Sequence, residues 1–268
     1  MRQTLAAALL VLTATGCNLG AAAAPDLQAD NAGLPSAPVK VGVALSGRRF
    51  AKARPVKVGV ALDKTGSTEP NGVSGATIDD FAILLDLLRE QGGEVAVGLI
   101  RETSNRPLLR LPIAPPLEVD PRQASSNPFE RAAAREKVKA QDSARQQEDE
   151  AATKRFVTEL RALIQTPADA RKTAICQAME RMDLFLHEDD GRWLGRVDKF
   201  AVFITDGQEN VDPTPCRTKL SGARVVVVKG GGDVGVFSSL DVKLFEAPGA
   251  AFSWIRQAHE DFNEGSNR

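Results

Sequence analysis

Hydrophobic and polar positions along this chain follow two rhythms that alternate from end to end. Val56-Lys57-Val58-Gly59-Val60-Ala61-Leu62 steps between branched apolar residues and Lys, Gly or Ala with a period of two, which predicts a strand. The same octapeptide, Pro-Val-Lys-Val-Gly-Val-Ala-Leu, occurs at 38–45 and again at 55–62. Only the second copy runs into an aspartate, so the first is expected as an edge strand or a spare segment, a local duplication and not a repeat period. Thr77-Ile78-Asp79-Asp80 then has the spacing of a capping box with Asp in place of Glu. Ile78, Phe81, Ala82, Leu85 and Leu88 return on one helical face until Gly92-Gly93 stops the pattern. Val95–Ile100 reads as a buried strand, and Leu108–Ile113, interrupted by Pro112, as an edge strand reached by a hairpin return.

The second half continues in the same way. A Pro- and Ser-containing connector spans 114–128, and 130–161 holds 15 charges, 8 basic and 7 acidic, with no Gly or Pro, which predicts a long helix. Its core stripe is confined to Phe156, Leu160, Leu163 and Ile164, so the earlier turns are expected in solvent, with a coiled-coil partner site as the functional alternative. A third helix over Lys172–Leu186 turns Ile175, Met179, Met182 and Leu186 inward. Lys199–Thr205, Arg224–Lys229 and Val242–Phe245 read as strands, and Phe252–Phe262 as a closing helix. Strands alternating with helices predict an α/β fold, a mostly parallel sheet covered on both faces, interrupted by one charged helical insertion at 114–165.

Composition narrows what such a fold is for. In 268 residues, 34 basic side chains oppose 35 acidic ones, and a net charge of −1 supplies no overall field for nucleic acid. A hydrophobic content of 43% excludes wholesale disorder, while 22 Gly, 15 Pro and no Tyr imply long connections around a modest core. Two His and three Cys are too few for a Cys/His zinc cage, so any metal is expected to be a hard cation on oxygen.

The N-terminus reads as an address. Arg2 precedes an apolar run, Leu5–Leu12, that is too short for a permanent span and has the character of a secretory signal over 1–16. Ala14-Thr15-Gly16-Cys17 resembles the lipobox of bacterial lipoproteins, which implies cleavage before Cys17, lipidation of that thiol and a place in the cell envelope. An ordinary signal peptide with an unmodified Cys17 is the alternative. Residues 17–53 then comprise the anchor cysteine, a small, Pro-punctuated tether and the first copy of the repeat, and the folded domain is expected over 54–263. Export would expose Cys176 and Cys216 to an oxidising compartment, where they either pair or stay as two partly buried thiols.

Residues just beyond parallel strands line the ligand crevice of such folds. Asp63-Lys64-Thr65-Gly66-Ser67 leaves its strand with a carboxylate and two hydroxyls at alternate positions, which converge if the loop stays extended. Asp206 leaves another strand, and Thr173 stands at the expected start of the third helix, where backbone N–H groups also point outward. Two carboxylates and three hydroxyls form an oxygen set that leaves room around Mg²⁺ for water and for one external carboxylate.

Asp-x-Thr-x-Ser, a Thr opening a helix, and Ile204-Thr205-Asp206-Gly207 after an apolar strand together resemble the von Willebrand factor type A domain and its metal-ion-dependent adhesion site. The resemblance spans about 54–263 and implies a Rossmann-like sheet with one antiparallel edge strand, for which Leu108–Ile113 is the candidate. It further implies that Asp63, Thr65, Ser67, Thr173 and Asp206 hold Mg²⁺, or Mn²⁺ or Ca²⁺, and that a protein partner supplies the last carboxylate. Thr65 replaces a commoner Ser but keeps the hydroxyl; Arg171 and Lys172 stand where many members have Gly, and with Lys64 they would bring positive charge near the site.

Two other functions compete with that reading, an exported, membrane-anchored binding module without enzymatic turnover. Asp63-Lys64-Thr65-Gly66-Ser67 also resembles the phosphorylated loop of P-type ATPases and haloacid-dehalogenase relatives, which implies Asp63 as nucleophile and Asp206 on Mg²⁺. A metal-free structural envelope lipoprotein is the third reading. Gly230-Gly231-Gly232-Asp233 lacks a phosphate-loop pattern, Ser67 has no His near it in sequence, and His187 and His259 are expected as surface residues.

Overall fold

The computed structural model describes residues 54–68, 73, 75–117, 127–188, 193, 196–211, 216–229 and 234–265, with side chains up to 261 in the last segment. The signal segment, Cys17, the tether, the first copy of the octapeptide and Gly230–Asp233 lie outside the described residues.

β1 (Val56–Asp63) leads into α1 (Ile78–Gln91), β2 (Gly93–Ile100) and β3 (Leu109–Ile113), followed by α2 (Pro128–Ile164) and α3 (Ile175–His187). β4 (Asp198–Ile204), β5 (Arg224–Val228), a short 3-10 turn at Gly235–Ser239, β6 (Val242–Phe245) and α4 (Pro248–Gly265) complete the order. The strands form one sheet in the order β3-β2-β1-β4-β5-β6. β1 lies parallel to both β2 and β4, β4 to β5 and β5 to β6, while β3 runs antiparallel to β2 at the edge. This is the expected Rossmann-like α/β arrangement, with Pro112 on the edge strand, where a missing N–H does least harm.

Both faces of β1 are covered, so its alternation does not separate core from solvent. Val56, Val58, Val60 and Leu62 pack against α1, α4 and the end of α2, among Phe81, Leu88, Phe156, Leu160 and Phe252. On the other face Ala61, with Ala96 and Ala201 of its neighbours, meets α3 through Met179, Met182 and Phe185. Gly59 sits there because a Cβ would lie 2.6 Å from the Met182 sulfur, so the small residues of the repeat let α3 approach the sheet. Even Lys57 is buried, with Nζ donating to Glu188 O at 3.0 Å and lying 4.8 Å from the centre of the Phe185 ring.

Helix boundaries follow local chemistry. Thr77 caps α1 by accepting from the Asp80 N–H, and the Asp80 carboxylate accepts in return from the Thr77 N–H at 2.8 Å. α2 extends from Pro128 through 37 residues, and its exposed first turns carry Phe129 at 83% exposure, whereas Phe156 and Leu160 are buried. Leu163 and Ile164 are half-buried. Gly93 begins β2 instead of ending the helix.

Two expectations are corrected. α3 begins at Ile175 and not near Lys172, because Ala174, with ψ of 69°, departs from helical backbone; the Thr173 and Ala174 N–H groups are satisfied from outside, by Asn210 Oδ1 and Arg101 O. His259 is fully buried, with Nδ1 2.9 Å from Asp198 Oδ2. The surface expectation failed because α4 turns His259 toward the first residue of β4, a pairing 61 residues apart in sequence.

Candidate metal site

β1 is the strand at which the chain's order reverses: one crossover leads from it outward to β2, and the later half returns to its other side as β4. The carboxyl end of β1 therefore opens into the crevice where such sheets bind ligands. The register pairs Leu62 with Ile204, so Asp63 and Thr205 leave adjacent strands together and Asp206 follows by one residue.

Asp63 is buried and held by three donors. Its Oδ1 accepts from the Thr65 N–H at 3.0 Å and from the Thr65 hydroxyl at 2.7 Å, and its Oδ2 accepts from the Thr205 hydroxyl at 2.6 Å. Thr65 and Ser67 hydroxyl oxygens lie 3.2 Å apart. The loop achieves this by turning, not by staying extended: both the N–H and the hydroxyl of Thr68 donate to Thr65 O, which folds Ser67 back over the strand end. Having given its one hydrogen to Asp63, the Thr65 oxygen keeps lone pairs for Ser67 or a cation.

Asp206 is also buried, and its Oδ1 accepts from the Gln208 N–H at 3.1 Å. Gly207 then turns with φ of 81°, a conformation that favours glycine, and its N–H donates to the Thr205 hydroxyl oxygen at 3.1 Å. Burial pushes the Asp63 carboxyl above the usual carboxylate range; hydrogen bonds from Thr205 and Thr65 pull it back, and the Asp206 charge adds to the upward push.

Thr173 lies on the segment before α3, which is joined to the Asp63 loop. Thr65 and Ala170 form a parallel bridge, with the Gly66 N–H donating to Ala170 O at 3.1 Å and the Ala170 N–H to Lys64 O at 3.2 Å. Thr173 is fully buried, and its hydroxyl oxygen has no hydrogen-bond partner among the described residues. The outward-pointing N–H groups expected at this helix start are already committed: the Thr173 N–H donates to Asn210 Oδ1 at 2.7 Å and the Cys176 N–H to Glu209 Oε2 at 2.9 Å.

The expected positive charges are partly diverted. Lys64 Nζ donates to Ile164 O at 2.6 Å, at the C-terminal end of α2, and Arg171 and Lys172 are exposed. The structure also joins Cys176 and Cys216 in a disulfide.

Among the described residues no cluster of three or more His, Cys, Asp or Glu gathers at one point, so a soft or all-carboxylate metal centre has no donor set there. The rim suits a hard divalent cation instead. Two buried carboxylates that oppose each other's charge, with Thr65 and Ser67 beside Asp63 and, among the described residues, an orphaned Thr173 hydroxyl on the segment bridged to that loop, are what such a cation would relieve. Asp63, Thr65, Ser67, Thr173 and Asp206 are thus the residues that would hold it. Sequence reasoning missed Thr205, Glu209 and Asn210 as supports, although all three follow the same strand as Asp206; only their partners, distant in sequence, reveal the role.

No family model matches this chain, and no curated protein matches it. Among solved structures it is similar to proximal thread matrix protein 1 from the mussel byssus, with 10% identity over 77% of this chain and 47% of that chain and a TM-score of 0.40. Another structure of that protein, described with a zinc-occupied MIDAS motif, gives 11% identity over the same shares and a TM-score of 0.37. Von Willebrand factor type A from Catenulispora acidiphila gives 14% identity over 77% of this chain and 42% of that chain, with a TM-score of 0.40. This chain thus spans less than half the length of each of these proteins. None of these likenesses carries the residue assignments, which rest on the contacts above.

Proposed function

We propose that this chain is a von Willebrand factor type A-like binding module that engages a protein partner through a divalent cation held by Asp63, Thr65, Ser67, Thr173 and Asp206. The observation that carries this reading is the buried Thr173 hydroxyl without a partner among the described residues, on the segment bridged to the Asp63 loop. A buried hydroxyl left unpaired costs about 1–3 kcal/mol, a cost that a bound cation removes. The cation supplies a positive centre with a position that an external carboxylate completes. Asp63 and Asp206 supply the charge, Thr205 orients Asp63, and the Thr65, Ser67 and Thr173 hydroxyls complete the protein's donor set. The partner is expected to present an Asp or Glu side chain, and binding is expected without turnover.

Titration calorimetry with Mg²⁺ and Mn²⁺ on the wild type and on Asp63→Ala tests the site. Heat from the wild type alone supports it, and equal heats from both proteins overturn it. An aspartyl-phosphate on Asp63 after incubation with acetyl phosphate would replace the binding module with a phosphotransferase.

We also propose that the module is exported and anchored through lipid on Cys17, a reading supported by Leu5–Leu12 and Ala14–Cys17. Mass spectrometry of the mature N-terminus is expected to show a diacylglyceryl cysteine, and an unmodified Cys17 would refute the anchor.

A further inference from the structure

We propose that the Cys176–Cys216 disulfide, acting through Asn210, positions the Thr173 hydroxyl relative to Asp206, so that cation affinity depends on the disulfide being closed. This rests on the metal-site reading above. Thr173 precedes α3 and Asp206 follows β4, so neither is fixed by a helix or strand of its own. What joins them is a loop without regular structure, Asp206–Val211, laid against the start of α3.

Three contacts make that seam. The Thr173 N–H donates to Asn210 Oδ1 at 2.7 Å, and the Asn210 N–H donates to Thr173 O at 3.2 Å, so both backbone groups of Thr173 belong to one residue of the loop. Glu209 bridges the two sides, accepting from the Cys176 N–H at 2.9 Å and from the Val211 N–H at 2.8 Å. Ala174, at the helix cap position, contributes no side-chain cap, so the loop does the capping in its place. Three residues after Thr173, Cys176 is bonded to Cys216, farther along the chain from the same loop.

On the other side, the Ser104 hydroxyl donates to Ala174 O at 2.9 Å and its N–H to Gln177 Oε1 at 3.1 Å, tying the start of α3 to the segment after β2. The disulfide adds a covalent tie between the first turn of α3 and Cys216, later in the chain than the loop. Reduction by a dithiol breaks the S–S bond: two electrons and two protons pass to Cys176 and Cys216 as thiols, and the dithiol leaves as its own disulfide. Asn210 is exposed, so water then competes for its side of the seam. Thr173 is then held less firmly against the Asp206–Val211 loop, and its hydroxyl no longer completes the donor set.

The test is a cycle of Mg²⁺ titrations on the full protein, at a temperature where circular dichroism shows every sample folded. Oxidised wild type is expected to bind, and the dithiol-reduced protein and the Cys176→Ser/Cys216→Ser variant to bind at least about tenfold more weakly, as for other supports behind metal ligands. Asn210→Ala is expected to weaken binding and Asn210→Asp, which keeps the acceptor oxygen, to restore it. Thr173→Ala separates positioning from general stabilisation: its affinity is expected to match that of the reduced wild type and to fall no further on reduction. Equal affinity of oxidised and reduced wild type, or an equal loss on reduction in wild type and Thr173→Ala, overturns the inference while leaving the metal site standing. An oxidised wild type that binds no cation overturns the metal site and this inference with it.

Discussion

The Thr205 hydroxyl donates to Asp63 Oδ2 at 2.6 Å, joining residues 142 positions apart at the ends of neighbouring parallel strands. Thr205 also accepts from the Gly207 N–H at 3.1 Å, so one hydroxyl orients a carboxylate and fixes the turn after Asp206. Replacing it by Val keeps the shape and removes both bonds. Thr205→Val is expected to lose about 1–3 kcal/mol in urea unfolding, with weaker Mg²⁺ binding, and Thr205→Ser to lose little of either. Unchanged affinity in Thr205→Val would show that Asp63 needs no such support.

Lys64 stands between two members of the proposed metal set, yet its ammonium is directed to the last turn of α2. Lys64→Met is therefore expected to cost about 0.3–1 kcal/mol of stability through the helix end. Mg²⁺ affinity measured by calorimetry should change less than about twofold, far below the effect of adding or removing a charge at contact distance. A large gain in affinity would place the ammonium near the cation after all.

At the opposite ends of the strands, Asp198 Oδ2 accepts from Arg224 at 2.8 Å and lies 2.9 Å from His259 Nδ1. The Arg224 guanidinium also lies 4.3 Å from the centre of the Phe200 ring. Asp198→Ala removes the carboxylate shared by buried His259 and half-buried Arg224, and about 1–3 kcal/mol of unfolding free energy is expected to go with the lost hydrogen bonds. Cation affinity should persist in the folded variant, since the length of β4 separates Asp198 from Asp206.

α2 divides into a docked end and a solvated one. Phe156 is 3% exposed within the core, and Phe129 is 83% exposed. Phe156→Ala is expected to cost about 3–5 kcal/mol, and Phe129→Ala less than about 0.5 kcal/mol, in chemical denaturation. Comparable losses from both would mean that the exposed end of α2 is packed against something in solution.

Much of the architecture was legible because it depends on neighbours in sequence. The Thr77–Asp80 capping box, the proline in β3 and the charge of α2 act within a few residues and appear where the pattern put them; in α1 the spacing gave the helix and buried Phe81, Leu85 and Leu88, but Ala82 is exposed and Leu84 and Leu87 are buried in its place. The alternation of β strands and helices made a sheet covered on both faces legible, but not which residues meet across it: that α3 approaches close enough for Met182 to need Gly59 depends on tertiary packing.

The candidate site divides along the same line. By itself the chain determined that Asp63, Thr65, Ser67 and Asp206 follow apolar strands, since strand ends are local features. It did not determine that Thr205 holds Asp63, that Asn210 and Glu209 occupy the N–H groups before and within α3, or that His259 lies buried beside Asp198. Those pairings span 33 to 142 residues: the parallel register of β1 with β4 brings Thr205 to Asp63, the loop after β4 meets the start of α3, and α4 carries His259 to the opposite end of β4. A hydrogen bond selects by distance in space, and no residue type announces in advance which distant partner the fold will place within 3 Å of it.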